Sequence, residues 1–273
     1  MRGKRTERLI RIASRMLLHP SRQLSLTDTA SGFEVSKTLI SDAIEIISEA
    51  LSAEGVGTIV TDRGRSGGAY FMPSPSGEFR RGKLRELSEI LSVRERLLPG
   101  DLVYYTDLLF EPDWASFLGF AMASMFDENK PTVVMTSEVK GIPVAFFTAY
   151  ALGVPLAVCR FRNRPSDGPA VGVHFPTSSG DVRTMYLGTR FLGASSRVLI
   201  VDDFMRGGST ASGMLLMAGE FSAEVVGVGT FISSVEPKKK ALTDYRSLLE
   251  LSVEGGVPKL SVSESFSDFA GSR

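Results

Sequence analysis

The sequence has little cysteine and histidine. Cys159 is the single cysteine among 273 residues, so no internal disulfide can form and a disulfide-stabilised secreted scaffold is excluded. His19 and His174 are the two histidines, so the chain has no cysteine/histidine cluster at zinc-finger spacing. These absences predict a protein that folds in a reducing, cytoplasmic setting without a zinc-finger site.

Long apolar runs are also scarce. The segment from Gly141 to Cys159 has no charged residue and is nearly long enough for a membrane-spanning helix, but Pro143 and Pro155 interrupt it. Because Pro155 cannot continue a helix, the segment predicts a buried helix, Ile142 to Leu152, and a strand, Pro155 to Arg160. The charged N-terminus lacks the apolar region of a secretory signal. We therefore expect neither export nor a membrane partner.

The charges of the chain are unevenly distributed. The totals balance, with 31 basic and 31 acidic residues, yet residues 1–22 hold seven basic groups and one acidic group. Such a concentration of basic residues can neutralise nucleic-acid phosphates and release their counterions. A solvated helix face is the alternative that the charge pattern alone leaves open.

Three helical patterns occupy the N-terminal part of the chain. The first begins at Thr6 and stops before Pro20. Ser25 and Ser36 stand where an N-cap is expected for the second and third helices, and Gly32 is expected to end the second. The short connection between them is typical of a helix-turn-helix, whose second helix presents its first residues to base edges in the major groove.

A predicted β-hairpin follows these helices. Residues 56–62 alternate and are rich in β-branched side chains, residues 69–72 form the return strand, and the loop between them is basic. Together these elements predict a winged helix, although a dimerisation module is an alternative. The G-x-S-x-G match at 64–68 has no helix after it, so we assign it no catalytic role. The predicted DNA-binding residues are Arg2, Lys4, Arg5 and Arg8 at phosphates, Ser36, Lys37, Thr38 and Ser41 on the recognition helix, and Arg63 and Arg65 on the wing.

The stretch 73–77, rich in proline, glycine and serine, predicts a domain boundary. We expect a winged-helix domain at 1–73, a second domain at 78–262 and a disordered tail at 263–273. Alternating strands and helices in the second domain imply an α/β fold with a mostly parallel central sheet, and ligands then bind at the carboxyl ends of its strands. The expected elements are strand Leu102 to Tyr105, helix Pro112 to Phe126, strand Thr132 to Met135, helix Ile142 to Leu152, strand Pro155 to Arg160, an irregular arm Phe161 to Arg190, strand Val198 to Val201, helix Ala211 to Phe221 and strand Val225 to Phe231.

The most informative segment of the second domain is 197–210. An apolar strand ends in Asp202 and Asp203, and a loop of small residues then opens a helix. The main-chain N–H groups of residues 207–210 can cradle a phosphate at the helix N-terminus. The two carboxylates suit ribose hydroxyls, directly or through Mg²⁺. The chain has no Walker A loop, and the segment is not a dinucleotide-binding turn.

This segment resembles the phosphoribosyl pyrophosphate (PRPP) signature of type I phosphoribosyltransferases. Residues 136–143, which follow another predicted strand, resemble the pyrophosphate loop of the same enzymes. The closer resemblance is to the bacterial purine operon repressors, in which a winged helix precedes a phosphoribosyltransferase-like domain. It rests on Asp-Asp-Phe-Met-Arg at 202–206 and Lys-Gly-Ile-Pro at 140–143, and it extends over nearly the whole chain.

The resemblance implies a homodimeric repressor of purine biosynthesis genes that binds double-stranded operator DNA and is released by PRPP. It also implies a guanosine polyphosphate alarmone as a competing ligand and no required cofactor beyond Mg²⁺ carried with PRPP. Arg206 stands where the enzymes usually have a small residue, and a fixed cation there favours tight binding over turnover. An active purine phosphoribosyltransferase with an accessory N-terminal domain is the alternative. The implied effector-binding residues are Lys140, Gly141, Asp202, Asp203, Phe204, Met205, Arg206, Gly207, Gly208, Ser209 and Thr210. Arg160 is a further candidate phosphate contact, with a surface ion pair as its alternative.

Overall fold

The computed structural model describes residues 2–62, 67–177 and 180–266. The chain divides into two compact units, Met1–Ser76 with Tyr150–Gly153, and Gly77–Ala149 with Val154–Arg273. Within the described residues, no helix combines the length and the apolar character needed to cross a membrane.

The first unit is a winged helix, as predicted. Its elements are α1 (Arg2–Leu18), β1 (Leu24–Ser25), α2 (Leu26–Phe33), α3 (Lys37–Ala53), β2 (Thr58–Asp62) and β3 (Gly68–Met72). The three strands form an antiparallel sheet in the order β1-β3-β2, with Leu24 opposite Ala69 and Ile59 opposite Phe71. Ile12 of α1, Ile44 of α3 and Phe71 of β3 are buried in one core cluster. Apolar faces of the helices and the wing therefore close over a common interior.

Two predicted N-caps are present. The Ser25 hydroxyl accepts a hydrogen bond from the Asp28 amide at 3.2 Å, and the Ser36 hydroxyl accepts one from the Leu39 amide at 3.3 Å. The expected end of α2 at Gly32 is wrong. The helix continues to Phe33 and ends where Glu34 adopts a left-handed conformation, with φ of 54°.

The Ser36 cap supports a testable prediction. Ser36→Ala leaves one amide of the first turn of α3 without its acceptor, so we expect a loss of about 1 kcal/mol of helix stability. Hydrogen exchange of the α3 amides should then be roughly five times faster. Ser41→Ala is the matched control, because Ser41 is exposed, has no capping role, and alanine favours the helix. Equal acceleration in both variants would contradict the cap's contribution.

The second unit is an α/β domain with a six-stranded sheet. Its elements are α4 (Gly77–Leu91), β4 (Leu97–Leu98), β5 (Leu102–Val103), α5 (Thr106–Leu109), α6 (Pro112–Phe126), β6 (Val133–Ser137), α7 (Ile142–Leu152), β7 (Leu156–Cys159), β8 (Ala170–Pro176), β9 (Val182–Gly188), β10 (Arg197–Met205), α8 (Ser209–Glu220), β11 (Glu224–Ser234), β12 (Arg246–Glu254) and β13 (Val257–Val262). The strand order is β13-β12-β11-β10-β6-β7, and β13 alone among these strands runs antiparallel to its neighbour.

Helices cover both faces of this sheet, as predicted. Val198 and Ile200 of β10 are buried in the same cluster as Met214 of α8. Leu199 faces the other side, where Phe126 of α6 lies against β11. Because successive side chains of a strand point to opposite faces, this central strand is packed on both sides and reads as a continuous apolar run.

Three expectations for the second unit are wrong. Residues 102–105 do not form a strand of the central sheet: β5 pairs with β4 in a separate two-stranded sheet. The arm 161–190 is not irregular, since it contains the antiparallel hairpin β8–β9. The tail does not begin at residue 263, because Ser263 is bonded to the domain and Phe266 is fully buried. The rest of the expected tail, 267–273, lies outside the described residues.

Candidate functional site

The first part of the candidate site is the loop between β10 and α8. β10 carries Asp202 and Asp203 near its carboxyl end, and α8 begins at Ser209. Gly208 has φ of 81°, and a Cβ atom there would lie 3.3 Å from the Leu242 amide nitrogen, so both the backbone conformation and the space favour glycine. The loop encloses a cavity of about 140 Å³. Its lining residues are Leu102, Asp202, Phe204, Met205, Arg206, Gly207, Gly208, Ser209, Thr210 and Ala211.

The second predicted loop meets the first. β6 and β10 are neighbouring parallel strands, with Met135 opposite Ile200, so the loops at their carboxyl ends share one edge of the sheet. A Cβ atom at Gly141 would lie 3.5 Å from Asp202 Oδ1 and 3.3 Å from the Ser137 carbonyl oxygen. The backbone of the candidate pyrophosphate loop therefore closely approaches the acidic pair.

Sequence reasoning missed Tyr105, which reaches the acidic pair from the segment between β5 and α5. Its hydroxyl donates a hydrogen bond of 2.5 Å to Asp203 Oδ2. Its ring stacks on Phe204, with centroids 6.3 Å apart, and the Lys140 ammonium nitrogen lies 5.0 Å from the ring centroid. Burial, and secondly the charge of Asp203, raise the pKa of Tyr105, so its hydroxyl remains a donor at neutral pH. Tyr105 and Asp203 are 98 residues apart, and no local motif links them.

Asp202 is the buried member of the acidic pair. It is 4% exposed, and its Oδ1 accepts a hydrogen bond of 3.1 Å from the Asp203 amide. Burial, and secondly the neighbouring Asp203 charge, raise the pKa of Asp202 well above its usual range. Two adjacent carboxyl groups held in this way offer hard oxygen atoms to hydroxyl groups or to a divalent cation.

The raised pKa of Asp202 supports a prediction about stability. An ionised carboxylate costs more in the folded state than in the unfolded state, and this cost is absent at low pH, where both states are protonated. Asp202→Asn should therefore increase the free energy of unfolding at pH 7, and the gain should shrink as the pH falls towards about 4. Urea unfolding followed by Trp114 fluorescence measures the free energy of unfolding of the variant and of the unmodified protein at each pH. A variant that is less stable than the unmodified protein at pH 7 would contradict the cost assigned to this carboxyl group.

The structure places the two candidate arginines differently. Arg206 is exposed in the cavity lining, and its Nη1 would lie 3.8 Å from a Cβ atom at Gly100, beside the β4–β5 turn. Arg160 does not line this cavity; it forms an ion pair of 3.5 Å with Glu138. Glu138 also accepts a hydrogen bond from the Phe161 amide. The ion-pair alternative therefore describes Arg160 in this structure, and its assignment as an effector contact stays a prediction.

The candidate DNA-binding surface lies at the start of α3. Lys37, Thr38 and Ser41 are exposed there, whereas the Ser36 oxygen is engaged as the N-cap. In α1, Lys4 and Arg5 are exposed, while Arg8 is half-buried. Its Nε has no hydrogen-bond partner within the described part of the chain. Arg63 and Arg65, and the side chain of Arg2, lie outside the described residues.

Two further arginines of α1 have a contact that the sequence did not reveal. The Arg11 and Arg15 guanidinium carbons lie 4.8 and 5.6 Å from the Phe33 ring centroid. These cation–π contacts attach α1 to the end of α2. Two of the basic residues near the N-terminus therefore pack against a ring within the winged helix.

Comparison with known proteins identifies the family. Residues 4–73 match the model of the N-terminal region of the bacterial purine repressor, and residues 112–261 match the model of the phosphoribosyl transferase domain. The purine biosynthesis transcriptional repressor PurR of Bacillus subtilis strain 168 is 35% identical over 253 residues, which cover 92% of this chain and 89% of that protein. The chain belongs to the bacterial purine repressor family. The family resemblance inferred from the two loops is confirmed.

A further member of the purine repressor family carries a different functional name. The purine biosynthesis transcriptional activator PurR of Lactococcus lactis strain IL1403 is 33% identical over 249 residues, 91% of this chain and 92% of that protein. These relatives, which match over about nine-tenths of their length, are named as transcription regulators and not as enzymes.

Enzymes match a smaller part of this chain than the transcription regulators do. The xanthine phosphoribosyltransferase of Lactobacillus delbrueckii subsp. bulgaricus strain ATCC BAA-365 is 32% identical over 142 residues, 50% of this chain and 75% of the enzyme. The crystal structure of adenine phosphoribosyltransferase from Rhodothermus marinus superposes with a TM-score of 0.53 at 21% identity, covering 62% of this chain and 99% of that one. The predicted phosphoribosyltransferase-like fold is confirmed.

Proposed function

We propose that the chain is a repressor of purine biosynthesis genes that binds operator DNA and is released by PRPP. One observation carries this proposal: a winged helix whose third helix has an exposed first turn is joined, in one chain, to a loop whose N–H groups and hydroxyls suit a phosphate, beside an acidic pair. The Bacillus subtilis relative, a repressor by name, supports the direction of regulation. The domain assignment we propose is DNA binding for residues 1–73 and effector binding for residues 78–262.

The proposed ligand contacts follow from the chemistry of PRPP. The N–H groups of residues 207–210, with the Ser209 and Thr210 hydroxyls, suit a terminal phosphate. Asp202 and Asp203 suit the ribose hydroxyls and supply the oxygen ligands for a Mg²⁺ ion carried with PRPP. Lys140 and Gly141 are assigned to the pyrophosphate. A guanosine polyphosphate alarmone would compete because its phosphates fit the same groups.

PRPP and operator DNA are linked in this proposal through a single equilibrium. If PRPP prefers the DNA-free form, a coupling free energy of about 1 to 3 kcal/mol weakens operator affinity by roughly 5- to 150-fold. A homodimer would place two recognition helices on paired operator half-sites. Abundant PRPP would then signal the capacity for purine synthesis and lift repression.

The second candidate function is an active purine phosphoribosyltransferase. The similarity to xanthine phosphoribosyltransferase favours it. Arg206 favours the regulatory function, because a long cation that pairs with a bound phosphate in the ground state and in the transition state alike tightens binding without raising the rate. A steady-state assay with PRPP, Mg²⁺ and adenine, guanine, hypoxanthine or xanthine separates the two. We expect no turnover, whereas a rate of about 1 to 10³ s⁻¹ would establish the enzyme.

A footprint on promoter DNA tests the regulatory function itself. The full chain is incubated with a purine biosynthesis promoter and with an unrelated duplex of equal length. We expect protection of a defined stretch in the promoter, because base contacts from α3 add specificity to the phosphate contacts of α1. Equal, unlocalised binding to both duplexes would contradict the proposed operator recognition.

A further inference from the structure

A second cavity, of about 400 Å³, lies beside β7, one of the two edge strands of the six-stranded sheet. Leu156 and Val158 of β7 form its apolar floor, whereas Ala157 and Cys159 point to the opposite face and are buried in the core. No residue that the structure describes lines both this cavity and the cavity at the β10–α8 loop. Its lining residues are Leu156, Val158, Arg160, Arg162, Asn163, Arg164, Ser166, Ala170, Tyr186, Gly188 and Phe191.

Among the residues whose side chains the structure describes, three arginines and no acidic residue line this β7 cavity. The charge of Arg160 is partly neutralised by Glu138, whose Oε2 lies 3.5 Å from Arg160 Nη1 and which is not among the lining residues. Arg162 and Arg164 are exposed, and neither has an ion-pair partner where the structure describes side chains. Converging cations in a concave surface focus a positive potential. The planar fork of an arginine matches phosphate oxygens in two parallel hydrogen bonds, so the charge pattern suits a phosphate group.

The other walls of the β7 cavity are aromatic and polar. Tyr186 and Phe191 contribute rings, and the Phe191 side chain is 49% exposed. Two backbone hydrogen bonds between Arg160 and Tyr186, of 2.9 and 2.8 Å, attach the β8–β9 hairpin to the end of β7 and hold these walls together. An aromatic face can stack on any nucleobase, because every base has a π-face. The volume falls in the range of small-molecule sites, about 300 to 1,000 Å³.

We propose that the β7 cavity binds a phosphorylated nucleoside, with Arg162 and Arg164 on the phosphate and Tyr186 and Phe191 beside the base. This site is separate from the candidate phosphate-binding loop between β10 and α8, so it would allow a second ligand, a nucleotide, to regulate the protein. The arginines supply affinity for the phosphate, and the apolar floor of β7 with the two rings selects ligands that carry a planar, weakly polar group.

Equilibrium dialysis of the full chain with radiolabelled GMP tests this proposal at low salt. We expect Arg162→Gln/Arg164→Gln to lose one bound GMP per chain, or to bind it at least tenfold more weakly. Arg85→Gln/Arg94→Gln is the matched control, because both side chains are exposed and neither lines a described cavity. Guanosine, which lacks the phosphate, should compete at least tenfold less well than GMP.

Further arms of the experiment separate the β7 cavity from the phosphate loop. Arg206→Gln/Thr210→Ala alters the loop and should leave the GMP bound by the β7 cavity in place. The proposal is overturned if Arg162→Gln/Arg164→Gln binds GMP like the unmodified protein. It is equally overturned if this variant and Arg206→Gln/Thr210→Ala each lose the same one bound GMP per chain. It is also overturned if unmodified protein binds no GMP, or if duplex DNA displaces it competitively. A protein that retains GMP here but ignores PRPP would contradict only the proposed effector response.

Discussion

A protein carrying Asp203→Asn should stay on its operator DNA at PRPP concentrations that release the unmodified protein. The asparagine keeps the shape of the side chain and still accepts the Tyr105 hydroxyl, but it removes the negative charge proposed to face Mg²⁺ and the ribose hydroxyls. A hydrogen bond to a charged group contributes about 1.5 to 3 kcal/mol. A loss of this size weakens PRPP binding by roughly 10- to 150-fold, so PRPP concentrations that release the unmodified protein should no longer occupy the site of the variant.

Fluorescence anisotropy of labelled operator DNA, titrated with PRPP and Mg²⁺, measures this release. Asp113→Asn is the control, because Asp113 is exposed in the first turn of α6 and has no contact with the loop cavity. The control should respond to PRPP like the unmodified protein, and both variants should bind operator normally without PRPP. If the same PRPP concentrations released Asp203→Asn from the operator, the assignment of the acidic pair to the effector site would be wrong.

Substitutions on the winged helix should separate two kinds of DNA contact. Thr38→Ala, at the exposed start of α3, should cost about 1 to 3 kcal/mol at one operator position and relax the base preference there. Lys4→Ala/Arg5→Ala, in α1, should weaken binding to every sequence. This variant should also reduce the slope of log affinity against log salt by about 2, because each neutralised phosphate contributes about 0.9.

These two effects are measured by titrating operator and scrambled duplexes at several salt concentrations. Glu49→Gln is a suitable control, because Glu49 lies on α3 far from its first turn and is not a predicted contact. A salt slope that Lys4→Ala/Arg5→Ala leaves unchanged would mean that α1 does not neutralise phosphates. A uniform loss for Thr38→Ala on all sequences would show that α3 does not read bases.

Features encoded in adjacent residues were predicted well. The bounds expected for the helices at 112–126 and 142–152 agree with α6 and α7, and both serine caps are present. The loop after β10 was also recognised, since an apolar strand, two acids and a small-residue turn lie next to each other in the chain. In each case the determining interactions are local, so the sequence pattern contains them.

Features that depend on distant partners were missed. Tyr105 acquires its role only when the segment after β5 lies over β10, and β12 and β13 were not expected at all. Charged and small residues in the arm 161–190 concealed its hairpin. A signal was nevertheless present in β8, where Val173 and Phe175 are buried on either side of exposed His174. That alternation with a period of two predicts a half-buried strand.

The most direct test of the central claim is a salt titration of binding to purine biosynthesis promoter DNA, with and without PRPP and Mg²⁺. The proposed function predicts sequence-selective binding whose affinity falls steadily with salt, and a weakening by PRPP of roughly 5- to 150-fold at each salt concentration. The function would be contradicted if PRPP left the affinity unchanged, or if the promoter bound no more tightly than a scrambled duplex at low salt.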